Sequence, residues 1–161
     1  MKFIVYFNTN EDFFECHEVL EEYWKSLPNS TKNHPLVAYI LLSTGLYHFR
    51  RGNTVGALRT LRKASTKMTH IVRDFPEFTK GLDISRLCAD LEATIDRLQT
   101  GQSFESFPLI VSSPGLALRT KKMELSMDLL PFESDAVIHK HMLRDRTDIL
   151  LARKEKKKGR I

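Results

Sequence analysis

Residues 36 to 49 read LVAYILLSTGLYHF, an apolar run without an Asp, Glu, Lys or Arg. A bilayer-spanning helix needs roughly 20 such residues, so the run is too short to cross a membrane. Pro35 precedes it and Gly52 follows closely, which predicts a helix over residues 36–51. Because the run is apolar nearly all round, it fits the central helix of a bundle, covered by neighbours on every side. The chain has 161 residues, 42% hydrophobic and 28% charged, enough for one compact domain with a real core.

The flanking segments supply those neighbours. Helical periodicity from about Thr9 to Lys25 predicts a first helix, with Asn8 as N-cap and Glu11 three residues on. The loop LPNSTKNHP separates it from the central helix. Past Gly52, Asn53 can cap a third helix reaching Asp74, with Leu58, Leu61, Ser65, Met68, Val72 and Phe75 as its seam. A fourth runs from an Asp83 cap to Gln99, stopped by Gly101. The expectation is all-α: a bundle of four core helices over residues 1–101, then a C-terminal extension over 102–161. In that extension MELSMDL alternates with period two, which suggests a short hairpin or extended arm. Residues 134–157 return to helical spacing, capped by Ser134 or Asp135, with Val137, Ile138, Met142, Ile149 and Leu150 on the apolar side. The extension either packs back on the bundle or serves a partner chain, as in a homodimer.

Cys16 and Cys88 are too few and too far apart for a disulfide framework or a zinc knuckle. No signal peptide opens the chain, and a reducing cytoplasm is the expected location. Net charge is +5, with much of the excess in the tail ARKEKKKGR. Together with Arg59, Arg62, Lys63 and Lys67 this permits nucleic-acid binding, but no interleaved aromatics provide base stacking.

Charge also turns inward. On a helical wheel, His17 and Glu21 fall inside the apolar arc set by Phe13, Cys16, Leu20, Tyr23, Trp24 and Leu27, with Glu18 at its edge. Glu15 and Glu22 fall on the far side as ordinary solvated charges. The central helix carries Thr44, His48 and Arg51 on one stripe, and a short loop makes the two helices antiparallel neighbours. Counting back at about 1.5 Å per residue sets His17 level with residues 44 to 48. Buried unpaired charge costs several kcal/mol, so these groups need one another or a ligand. One reading is a structural network in which Arg51 forks onto Glu18 or Glu21. A second is a divalent metal held by His17, Glu21 and His48, with water completing the shell. A third is a small anion held by Arg51, with His17 or His48 moving a proton.

The segments FFECHEVLEEYW and LYHFRRGNTVGALRTLRKA resemble the bacterial and archaeal domain-of-unknown-function family 309. The first match lies in Glu15, His17, Glu18, Glu21 and Trp24, the second in His48, Arg51, Gly52, Asn53, Gly56 and Ala57. The resemblance covers roughly residues 5 to 100. It implies an all-helical fold and adds Trp24 and Asn53 to the candidate cluster, but names no reaction. The second segment is also similar to the hairpin of a tetratricopeptide repeat, through Gly45, Gly52, Ala57, Leu61 and Ala64. No second copy follows at that repeat's period. A protein- or peptide-interaction module is therefore the alternative function, with the cluster serving packing alone.

Overall fold

The computed structural model describes residues 1–143 and 151. It is all-α. The core is built from α1 (Lys2–Asn8), α2 (Phe13–Ser26), α3 (Leu36–Arg50), α4 (Thr54–Asp74) and α5 (Ile84–Gln99), with a 3₁₀ turn at Pro76–Thr79. Among the described residues α6 (Pro114–Ser126), α7 (Asp135–Ile138) and α8 (Lys140–Leu143) follow. Among the described residues no helix is long and apolar enough to cross a membrane.

α3 is the central helix. It buries Ala38, Tyr39, Leu42, Ser43, Leu46, Tyr47 and Phe49, residues from several sides of the helix. Each large apolar side chain so buried contributes about 1.5–3 kcal/mol. α2 packs on one side of α3 and α4 on the other. At Gly45 a Cβ would sit 2.4 Å from Leu61 Cδ2, so α4 can lie this near only because residue 45 has no side chain.

The seam of α4 differs from the expected one. Ala57, Leu61, Ala64, Met68 and Ile71 are buried, whereas Val72 and Phe75 are exposed. Small residues let the two backbones close on each other, and the helix turns Ala57 and Ala64 inward.

The first helix is also corrected. Residues 2–8 form a separate helix that buries Phe3, Ile4, Val5 and Phe7. Seven residues are too few for periodicity to reveal. Glu11, with φ +51°, lies in the turn that follows. Asp12, not Asn8, then caps α2 by accepting from the Glu15 backbone N–H at 3.0 Å. Asn8 works elsewhere: its Nδ2 donates to Leu109 O and its Oδ1 accepts from Leu109 N, both at 2.8 Å.

That pair pins residues 102–112 as an extended segment against the core. Phe104 meets Phe13 and Phe49, Phe107 meets Phe7, and one isolated antiparallel bridge joins Leu82 to Val111. The hairpin reading of MELSMDL does not hold. Met123 to Ser126 complete α6, which Ser113 caps at Leu116 N and Pro114 opens. A Ser-Pro start fixes the first turn of a helix and outweighs four residues of alternation. The C-terminal helix begins as expected at Asp135, but as two short pieces. Val137 of α7 is fully buried. Ile149, Leu150 and the basic tail lie outside the described residues.

Candidate functional site

A pocket of about 440 Å³ opens between α2 and α3. Its described lining is Phe13, Phe14, His17, Glu18, Thr44, Tyr47, His48, Arg51, Asn53 and His141. Six of the eight expected cluster residues are therefore in one place. The exceptions are Glu21, which pairs with Lys25 at 3.1 Å, and Trp24, whose Nε1 donates to Thr31 O at 3.1 Å and braces the α2–α3 loop.

The ends of helices set the polar groups. Gly52, with φ +78°, turns the chain after α3, and Asn53 caps α4 by accepting from Gly56 N at 3.1 Å. With its oxygen so engaged, Asn53 presents Nδ2 to His48 Nδ1 at 3.2 Å. His48 Nδ1 is then the acceptor, which places the ring proton on Nε2. Burial lowers the His48 pKa from its ordinary 6.5, and the positive charges of Arg51 and Arg59 lower it further. This favours the neutral imidazole, which has an N–H to give. His17 Nδ1 lies 3.2 Å from Glu18 Oε1.

The fork of Arg51 onto Glu18 or Glu21 does not form. Its guanidinium lies over the Tyr47 ring, 5.2 Å from the centroid, and Nη2 donates to Met142 Sδ at 3.2 Å. Its Nε is buried without a hydrogen-bond partner, and no ion pair joins Arg51 to any described carboxylate. Thr44 Oγ1 donates to Ile40 O at 2.8 Å.

Ligand atoms of His17, Glu18 and Glu21 come within 4.8 Å of one another. This set comes from α2 alone, since residues at i, i+1 and i+4 converge on adjoining faces. His48, expected as a third ligand from α3, is not in it and is held by Asn53 instead.

Sequence reasoning missed Tyr47 and His141. Tyr47 lies one turn from both Thr44 and Arg51, so the helical stripe that found them includes it. Its hydroxyl meets His141 Nδ1 at 2.8 Å and accepts from the His141 backbone N–H at 3.0 Å. Nothing local links residues 94 apart. Glu15 was also misplaced: Lys140 Nζ lies 2.8 Å from it and 2.9 Å from the buried Asp12. A second pocket of about 500 Å³ adjoins this ion cluster and shares Phe14 and Glu18 with the first.

Cys16 takes no part. Burial foremost, with Asp12 nearby, pushes its thiol well up, and Sγ donates to Phe3 O. A thiol kept protonated is a poor nucleophile.

A family model described as "Domain of unknown function (DUF309)" matches residues 1–60, which span α2 and α3. A protein of Bacillus subtilis (strain 168), described as "Uncharacterized protein YpuF", is 32% identical over 158 residues, covering 95% of this chain and 90% of that protein. The similarity to this relative continues well past residue 101, where the resemblance read from the motifs ended. No solved structure matches the chain significantly.

Proposed function

The chain belongs to the DUF309 family, and with the helices of its matched region as the premise we propose that it binds a small anion in the α2–α3 pocket. The observation that carries the reading is Arg51. Its guanidinium lines the pocket, keeps a buried Nε without an acceptor and has no carboxylate to neutralise it among the described residues. A permanently charged fork in that condition suits a phosphate or carboxylate oxygen. His48 Nε2–H and the Tyr47 ring beneath the guanidinium add a neutral donor and a supporting face. His17, which also lines the pocket with its Nδ1 beside Glu18, is the imidazole placed to exchange a proton with a bound molecule, which suits hydrolysis or proton transfer.

The test is a titration of the full chain with inorganic phosphate and acetate, followed by calorimetry. Arg51→Met removes a charge-assisted contact and lowers affinity about ten-fold or more. No heat with either anion, or equal affinity in the variant, rejects the reading.

A second reading rests on a separate observation, the convergence of His17, Glu18 and Glu21 within 4.8 Å. These atoms would hold a divalent cation, with water filling the remaining positions. Metal analysis of the purified protein, with His17→Ala as control, checks it.

A further inference from the structure

Three consecutive residues of α8 grip the pocket region at two places, the start of α2 and the end of α3. Lys140 pairs with Asp12 and Glu15 at the start of α2. His141 meets the Tyr47 hydroxyl on α3. Met142 accepts from Arg51 Nη2 at 3.2 Å. Val137, fully buried in α7, anchors the segment from behind.

The three grips are unequal. Lys140 holds two carboxylates, one of them wholly buried, so this contact resists removal. Met142 is the weakest: a thioether is a poor acceptor, and its side chain is 66% exposed. Yet it faces the most demanding donor in the pocket. A guanidinium whose hydrogen-bond acceptor among the described residues is a sulfur is under-satisfied, and any oxyanion arriving there makes the stronger bond.

We infer that α8 is a built-in closure of the anion pocket, in which the Met142 thioether occupies the place on Arg51 that the incoming anion takes. The inference rests on the pocket being an anion site. Binding exchanges a weak internal contact for a charged one, while Lys140 keeps the segment tethered. The closure therefore sets a threshold on affinity: each ligand must first displace Met142, and the observed constant is reduced by that competition.

The experiment titrates inorganic phosphate into the full chain and follows the Arg51 Nε–H signal by nuclear magnetic resonance. Met142→Ala removes the competitor and tightens phosphate binding about five-fold. Met142→Glu places a carboxylate on the guanidinium and abolishes binding. Because residue 142 is exposed, neither variant threatens the fold, and circular dichroism verifies this. If Met142→Ala binds phosphate no tighter than the parent while Arg51→Met still weakens binding about ten-fold or more, the closure is wrong and the anion site stands. If parent and Met142→Ala are both silent, the anion site itself fails.

Discussion

The Asp12 carboxylate, 1% exposed, lies 2.9 Å from the Lys140 ammonium, 128 residues further along the chain. The same carboxylate caps α2, so one buried group joins a helix start to the C-terminal segment. Lys140→Met leaves Asp12 and Glu15 without their cation. The expected loss is about 2 kcal/mol of unfolding free energy, below the full cost of breaking a buried pair because Lys140 is partly solvated. Urea denaturation measures it. Burial alone would lower the Lys140 pKa, but hydrogen bonds to Glu15 and Asp12 outweigh it and raise it above 10.5. A raised folded-state pKa means the stabilisation is complete below 10.5 and fades as pH climbs through the higher folded value.

His48 gives the opposite sign. Its folded-state pKa lies below 6.5, so the unfolded chain binds the proton more readily. The stability it contributes is present above 6.5 and is lost as pH falls through the folded pKa. His48→Gln should flatten the decline of the thermal midpoint between about pH 7 and pH 5. Asn53→Asp tests the cause: aspartate preserves the α4 cap but sets a carboxylate beside Nδ1. The His48 titration, read from its ring proton shifts, then moves upward. An unmoved titration means that Asn53 does not control this ring.

Gly45 and Leu61 form a steric pair. Gly45→Ala forces a Cβ into Leu61 and costs about 1–3 kcal/mol. Leu61→Ala alone costs about 2–5 kcal/mol through its cavity. Together they fall short of additivity by about 1 kcal/mol, since the new methyl fills part of the space. Additive values in denaturant titrations would show that α4 has shifted instead.

Glu21→Gln separates the two ligand readings. Its partner Lys25 is an exposed i,i+4 neighbour, so the change costs under about 0.5 kcal/mol. Phosphate affinity should stay within about two-fold, because Glu21 does not line the pocket. Affinity for zinc or manganese, by calorimetry, drops about ten-fold or more if Glu21 is a ligand.

How much of this was legible in sequence follows from the range of the signals. Leu36 to Arg50 announced itself because an apolar run between breakers has one fate. The stripe Thr44, His48 and Arg51 followed from helical angles alone. The caps at Asn53 and Asp83 were readable because each lies directly before its helix. What escaped depends on distant contacts. Lys2 to Asn8 is too short to show a period, and its helix is stabilised by rings of Tyr39 and Phe13. Glu15 looked solvated because the wheel saw only α2 and not Lys140. One of the three readings gave Arg51 a carboxylate because charge balance invites one; the Tyr47 ring and Met142 took that place.

The lock between Asn8 and Leu109 spans 101 residues of chain. During translation the first helix leaves the ribosome long before its partner exists. Phe3 and Phe7 meet Tyr39 and Phe13 much earlier, so what waits on residue 109 is the polar lock that fastens the end of that helix. A nascent chain stalled while Leu109 is still inside the exit tunnel would show more protease cleavage at the end of α1 than one lengthened until Leu109 has emerged.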